Sequence, residues 1–166
     1  KNISMQCPCG LDLTFSQCCQ PLITATKLAN SPEQLMRSRY SAYATNNAEY
    51  IYLTYARSSR VEQTIADIEQ WAIQTKWLKL IVHSASEFQT SSDNNESAKV
   101  MFSAYYQHLG KIWQMQENSN FIIEDNVWRY VDGDVSESKV LKKPKRNEAC
   151  FCQSNKKFKQ CCANAL

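Results

Sequence analysis

Two clusters of cysteines, one near each end of the chain, limit the possible folds more than any other feature. The sequence has 166 residues and eight cysteines, with none between Cys19 and Cys150. The pattern Cys-x-Cys-x8-Cys-Cys occurs twice, at Cys7, Cys9, Cys18 and Cys19 and at Cys150, Cys152, Cys161 and Cys162. A shift of 143 positions superposes the two copies and also matches Phe15 to Phe158. The chain therefore carries an internal repeat with one copy at each end.

Zinc explains this spacing better than the alternatives. Disulfides are one alternative, but adjacent cysteines such as Cys18 and Cys19 bond each other only with strain, and no signal-peptide pattern points to an oxidising compartment. Iron–sulfur or redox roles are a second, and one site shared by both ends is a third. Four thiolates suit tetrahedral zinc and leave no position for a catalytic water. We expect two structural zinc ions per chain, one in each cluster, in a cytoplasmic protein.

The C-terminal cluster carries a resemblance to a known motif. Cys150-Phe-Cys152-Gln-Ser-Asn-Lys-Lys-Phe-Lys-Gln-Cys161-Cys162 resembles the SEC-C motif, the zinc-binding tail of the bacterial preprotein-translocase motor ATPase. Gln153 and Asn155 stand where that motif commonly has glycines, whereas the N-terminal copy keeps Gly10. A motif at each end, with Leu35-Met-Arg-Ser-Arg-Tyr-Ser-Ala-Tyr43 after the first, is similar to the bacterial, largely uncharacterised YchJ-like family. The resemblance implies a central domain of the nuclear-transport-factor-2-like type.

Periodicity in the middle of the chain independently predicts an α+β fold. Ser31-Pro32-Glu33-Gln34 is a helix start, and one apolar face runs from Met36 to Ala44. Further helices are predicted over 48–55 and 61–76. After Trp77 the period falls to two, which predicts strands over 77–82, 98–107, 112–123 and 127–132, with a polar connection over 90–97. We expect helices packed on a curved, cone-like antiparallel sheet, flanked by the two zinc knuckles.

These patterns predict three segments. They are an N-terminal knuckle over 1–21, the α+β domain over 22–138, and a basic linker with the C-terminal knuckle over 139–166. No apolar run approaches the roughly 20 residues of a membrane span. The oligomeric state is left open.

A cone-shaped hollow raises the question of a pocket in the central domain. His83 and His108 are the two histidines and the candidate general bases, but the sequence supplies no partner for either. No phosphate-binding loop or nucleophile motif occurs, so no catalytic residue is assigned and we favour a non-enzymatic protein. The helix that starts at Ser31 turns Arg37 and Arg39 to opposite sides, so at most one faces inward. The candidate pocket residues are Arg37, Tyr40, Tyr43, Trp71, His83, His108 and Trp113.

Charge is divided unevenly along the chain. Residues 1–138 hold 11 basic and 15 acidic side chains, net −4, whereas residues 139–166 hold 8 basic and 1 acidic, net +7. The candidate partner-binding residues are Lys142, Lys143, Lys145, Arg146, Lys156, Lys157 and Lys159. Nucleic acid, anionic lipid or an acidic protein could answer this charge.

Three functions follow from these features. The first is a zinc-binding adaptor whose basic C-terminal knuckle docks a partner protein; the resemblance to the translocase tail implies an export chaperone or a ribosome-associated partner. The second is a small-molecule binder or enzyme that uses the hollow. The third is nucleic-acid binding through the basic tail, which lacks the interleaved aromatic residues typical of that function.

Overall fold

The sheet that forms the body of the protein is antiparallel throughout. The computed structural model describes residues 4–86, 89–90 and 96–166. Its strands are β1 (Thr75–Ala85), β2 (Gln89–Thr90), β3 (Glu96–His108), β4 (Lys111–Glu124) and β5 (Val127–Leu141). The spatial order is β1-β3-β4-β5, with β2 paired to β3. The predicted curved α+β architecture is confirmed. Within 90–97, residues 91–95 lie outside the described residues.

Helices precede the sheet in the chain and cover its inner face. They are α1 (Gln20–Ile23), α2 (Pro32–Ala44), α3 (Ala48–Leu53), α4 (Arg57–Arg60) and α5 (Ile65–Gln74). The predicted start of α2 is confirmed, because the Ser31 hydroxyl accepts a hydrogen bond from the Gln34 backbone N–H at 3.1 Å. No helix of the described residues is long and apolar enough to cross a membrane.

The helix predicted over 61–76 begins later than periodicity indicated. Thr64 caps α5 by accepting a hydrogen bond from the backbone N–H of Asp67, and the chain becomes extended at Thr75. Val61 is 82% exposed and lies outside the helix. A capping threonine therefore overrode the apolar spacing that had placed the helix start at Val61.

Strand β5 continues well past the predicted end at Asp132. It pairs with β4 as far as Leu141, which lies opposite Ile112, and the register shifts near Phe121 and Glu117. Alternation of apolar and polar residues did not predict this extension, because almost every β5 side chain from Asp132 onward is exposed. The strand lies at an edge of the sheet and has a partner on one side only. Lys139 therefore belongs to the sheet.

Apolar side chains of the sheet are buried on both of its faces. On the inner face, Leu80 and Phe102 share a core with Met36 and Tyr40 of α2. On the outer face, the fully buried Tyr105 contacts the C-terminal knuckle. Each cysteine cluster thus packs in its own core, the N-terminal cluster with the inner face and the C-terminal cluster with the outer face of the sheet.

The cap at Ser31 is a test of this helix start. Ser31→Ala should lower the free energy of unfolding by about 1 kcal/mol, because the N–H of Gln34 loses its acceptor. Urea unfolding followed by circular dichroism measures the change. Ser138→Ala, at an exposed position of β5, is the matched control and should stay within about 0.5 kcal/mol of the parent. Equal effects of the two substitutions would contradict the capping role.

Candidate metal centres and cavity

The two knuckles have the same local structure, related by the same shift as their sequences. Each contains one antiparallel bridge, between Gln6 and Thr14 or between Ala149 and Lys157. Each then forms a single turn of 3-10 helix, over Phe15–Gln17 or Phe158–Gln160. The bridge presents the Cys-x-Cys pair and the turn presents the Cys-Cys pair, so a loop of about a dozen residues brings four sulfurs together.

The sulfur positions fit a tetrahedral metal ion. Within each cluster, the four Sγ atoms all lie within 4.8 Å of one another. The Sγ–Sγ distances include 3.6 Å for Cys9–Cys18 and 3.8 Å for Cys18–Cys19. In the C-terminal cluster, Cys152–Cys161 is 3.4 Å and Cys161–Cys162 is 4.0 Å. Four sulfurs at about 2.3 Å from a central ion would be about 3.8 Å apart. All eight cysteines are free thiols, so the donor set is complete in both clusters.

Groups outside the cysteines hold the N-terminal cluster against the body. The Arg37 guanidinium donates a hydrogen bond to the Cys9 carbonyl at 2.7 Å, and the Ser41 hydroxyl lies 3.6 Å from the Cys7 sulfur. A Cβ at Gly10, whose φ is +88°, would lie 3.5 Å from the Leu80 carbonyl oxygen. Arg37, predicted as a pocket residue, therefore contacts this knuckle instead, because α2 presents its two arginines to different sides.

The C-terminal cluster packs on the outer face of the sheet. Phe158 is buried, and the rings of Tyr105 and Phe151 have centroids 5.7 Å apart. The Ser154 hydroxyl lies 3.2 Å from the Cys161 sulfur, a distance suited to orienting a ligand thiolate. Both phenylalanines of this knuckle contribute to packing.

Hydrogen bonds among the cysteines and burial change the acidity of the thiols, and the hydrogen bonds with Cys19 and Cys9 lower the pKa of Cys7. Burial, followed by hydrogen bonds to Cys7 and Cys9, raises the pKa of Cys18 to about 12. Hydrogen bonds to the same two residues, followed by burial, raise the pKa of Cys19. Burial is also the main reason that the pKa of Cys162 is raised. Without a cation the three thiols with raised pKa values are protonated at neutral pH, so metal binding must displace their protons.

A cavity of about 160 Å³ lies between the inner face of the sheet and α2. Its walls are largely aromatic, and its charged lining residues are Arg39 and Glu117. Nine aromatic residues line it: Tyr40, Tyr43, Tyr55, Trp71, Trp77, Phe102, Tyr106, Phe121 and Tyr130. Burial raises the pKa of Tyr43 to about 12, so the hydroxyl of this lining residue is uncharged at neutral pH. Tyr40, Tyr43 and Trp71 were expected here.

The other predicted pocket residues lie elsewhere. The imidazole of His83 is 2.7 Å from the Ser103 hydroxyl, and that of His108 is 3.0 Å from the Thr75 hydroxyl, with its ring against Trp71. Trp113 pairs with Val140 near the start of β4, outside the cavity lining. The alternation of apolar and polar residues along one strand could not show whether His83, His108 or Trp113 lines the cavity. The position of the cavity wall depends on where the helices cross the sheet.

Arg39, Glu117 and Tyr130 line the cavity but are not among the predicted pocket residues; of the two arginines of α2, Arg39 is the one that faces inward. Glu117 had a usable signal, since it occupies the same face of β4 as Met115 and Phe121, among apolar residues. Tyr130 lies on the strand predicted over 127–132, and its backbone forms a bridge with Tyr55, another residue of the cavity wall.

Fold and sites together define a class of protein: two four-cysteine clusters that could each hold a metal ion, flanking an α+β domain with an antiparallel sheet. The family model of the YchJ middle NTF2-like domain matches residues 31–133, and the SEC-C motif matches residues 146–164. A UPF0225 protein of Shewanella sp. (strain MR-4) is 39% identical over 160 residues, which covers 94% of each chain. One of Vibrio vulnificus (strain YJ016) is 38% identical and covers 96% of this chain and 99% of its own length. The chain belongs to the YchJ-like UPF0225 family.

Solved structures agree with this assignment. The solution structure of a SEC-C motif containing protein from Rhodopseudomonas palustris has a TM-score of 0.71 and 32% identity, and covers 80% of this chain and 100% of its own. The crystal structure of another from Psychrobacter arcticus has a TM-score of 0.68 and 29% identity, with full coverage of both chains. The SEC-C match covers the C-terminal knuckle; assignment of the N-terminal cluster to the same motif stays a prediction.

The C-terminal knuckle carries a backbone cost that a glycine should remove. Gln153 has a φ of +62° and Asn155 a φ of +60°, in the left-handed region. Gln153→Gly should stabilise the metal-bound knuckle by about 1 kcal/mol, and Asn155→Gly by less, because asparagine tolerates this region better. Competition for added Zn²⁺ with a chelating dye measures the affinity. Lys156→Gly, outside the left-handed region, is the control and should weaken binding; a loss for Gln153→Gly as well would contradict the strain argument.

Proposed function

We propose that each cysteine cluster binds one zinc ion and that the protein is a non-enzymatic adaptor whose basic C-terminal knuckle docks an acidic partner protein. The observation that carries this proposal is a group of exposed cations on and beside a knuckle whose four cysteine sulfurs lie within 4.8 Å of one another. We define the basic surface as the side chains of Lys142, Lys143, Lys145, Arg146, Lys156, Lys157 and Lys159, all of which are exposed.

The choice of zinc rests on the donors. Four thiolates, complete and closed around one point, match a structural zinc ion and leave no position for substrate. Free thiols also suit the reducing cytoplasm, where we place the protein. Because a knuckle of this size has almost no core of its own, much of its folding free energy would come from the metal.

The basic surface lacks internal neutralisation. Among the described residues, no carboxylate lies within 4.0 Å of any of the seven cations of this surface. The ion pairs of the described residues are Arg37–Glu33, Arg57–Asp125 and Lys139–Glu137, and none of them includes a residue of the basic surface. The acidic residue of this segment, Glu148, accepts a hydrogen bond from the backbone N–H of Lys145 at 2.7 Å. A zinc ion with four thiolates adds about −2, which leaves residues 139–166 at about +5. Such a surface attracts an acidic partner.

Protein is favoured over nucleic acid by the placement of the aromatic rings. Single-stranded nucleic acid is commonly bound by stacking of bases on exposed rings. Phe158 is 4% exposed, and Phe151 lies between Phe158 and Tyr105, with ring centroids at 6.1 and 5.7 Å. These rings are used for packing, so the basic surface offers charge without a stacking platform.

Charge reversal tests the docking surface. Tagged, zinc-loaded protein is crosslinked in a bacterial lysate, and captured proteins are identified by mass spectrometry. Lys142→Glu, Lys143→Glu and Lys145→Glu combined should abolish capture of the acidic partner, as should a chelator. The matched control combines Lys27→Glu, Lys99→Glu and Lys111→Glu, exposed lysines outside the knuckle with the same change of charge, and should retain capture. Capture that survives full zinc removal, or that nuclease abolishes, would overturn protein docking through the knuckle.

Proton release tests the zinc sites themselves. Because their pKa values are raised, the thiols of Cys18 and Cys19 are protonated at pH 7 in the metal-free protein. They lose these protons when they become thiolate ligands of zinc. Zinc addition in weak buffer with a pH indicator should therefore release at least two protons per ion at the N-terminal cluster, and zinc affinity should fall as pH falls. A variant with Cys150, Cys152, Cys161 and Cys162 replaced by serine isolates this cluster. Zinc binding without proton release would contradict thiolate ligation.

A further inference from the structure

Glu117 is a buried acid in a cavity made mainly of aromatic rings. It is 8% exposed and lies in the middle of β4, opposite Phe102 on β3. No basic side chain of the described residues approaches its carboxylate within the 4.0 Å of an ion pair. A carboxylate without a basic partner is costly to bury unless other groups compensate for it.

Its position is held by three neighbours. One carboxylate oxygen accepts hydrogen bonds from the Ser119 hydroxyl at 2.8 Å and from the Tyr130 hydroxyl at 2.7 Å. Gly133, beside it on β5, supplies the space: a Cβ there would lie 1.7 Å from that same oxygen. Two donors directed at one oxygen, and a glycine that makes room for the side chain, orient the carboxylate as an acceptor.

The charge of Arg39 is already engaged by other groups. Its guanidinium lies 4.4 Å from the ring centroids of both Tyr55 and Tyr130, and it donates hydrogen bonds to the Ile51 carbonyl and the Thr54 hydroxyl at 2.8 and 2.6 Å. Both ring faces therefore cover the cation within the wall of the cavity. The same contacts show that this wall accommodates a positive charge through cation–π interactions.

We propose that the cavity binds a small organic cation, an amine in its ammonium form, with its charge on Glu117 and its body against the aromatic wall. Aromatic surfaces combined with a carboxylate are a common chemical solution for ammonium recognition. The volume of about 160 Å³ sets the size, because cavities of about 150 Å³ take up one benzene molecule. This site is separate from the knuckles, so it would be a second binding function of the protein.

Three probes of nearly equal shape test the charge preference. Benzylamine is a cation at pH 7, benzyl alcohol is neutral, and benzoate is an anion. Each is titrated into the zinc-loaded full chain by NMR, with the methyl signals of Met36 and Met115, which line the cavity, as reporters of the site. Benzylamine should bind at least about tenfold more tightly than benzyl alcohol, since a hydrogen bond to a charged group contributes on this scale. Benzoate should bind most weakly.

Variants then connect this preference to Glu117. Glu117→Gln should lower the affinity for benzylamine about tenfold and leave benzyl alcohol within about twofold. Gly133→Ala keeps the charge but displaces the carboxylate, and should also weaken benzylamine binding. Glu124→Gln, the same change on the same strand outside the cavity, is the matched control and should have no effect. Zinc content and thermal midpoint verify that each variant is folded.

Results with the parent protein or with the Glu117→Gln variant can overturn the proposal. Tightest binding of benzoate would mean that Arg39 selects the ligand, and equal affinities for the three probes would mean that charge is not recognised. Absence of methyl shifts at millimolar benzylamine, or undiminished benzylamine binding by folded Glu117→Gln, would equally refute it.

Discussion

Burial of the sheet from both sides by the two chain ends is the constraint on which the rest of the structure depends. Leu80 of β1 shares the inner core with Cys7, Cys9 and Cys19, while Leu78 and Ile81 of the same strand pack with the C-terminal knuckle on the outer face. Each knuckle is too small to form a core alone. Its few apolar side chains are useful only when the sulfurs hold the loop in shape, so cluster geometry and sheet packing support each other.

The cavity depends on a second constraint, the burial of opposite charges that do not form an ion pair. Arg39 is held by ring faces and by acceptors from α3 and the residue that follows it, and Glu117 is held by hydroxyl groups. Tyr130 contributes to both, with its ring against Arg39 and its hydroxyl on Glu117. Because these contacts join helix, sheet and the bridge between Tyr55 and Tyr130, they fix the spacing between layers and leave the cavity open.

The two halves of the molecule offer different chemistry. The C-terminal knuckle presents exposed cations on a small four-cysteine support, which suits docking to a surface of opposite charge. The central domain has a concave, aromatic interior with one oriented carboxylate, which suits a small ligand. Because the basic surface and the cavity lie in different places, one chain could carry both proposed functions. Each proposal is tested with its own substitutions, so a negative result for one would not affect the other.

Local patterns in the sequence determined a large part of this structure. The cysteine repeat predicted two four-sulfur clusters because ligand spacing is a local property, and the cap at Ser31 and the change of period near Trp77 located α2 and the sheet for the same reason. The start of α5 and the length of β5 were not determined locally, since a cap at Thr64 and pairing with β4 decided them. Only the tertiary structure decided that Arg39, Glu117 and Tyr130 line the cavity, because a cavity is formed where separate elements cross, and no single element encodes that crossing.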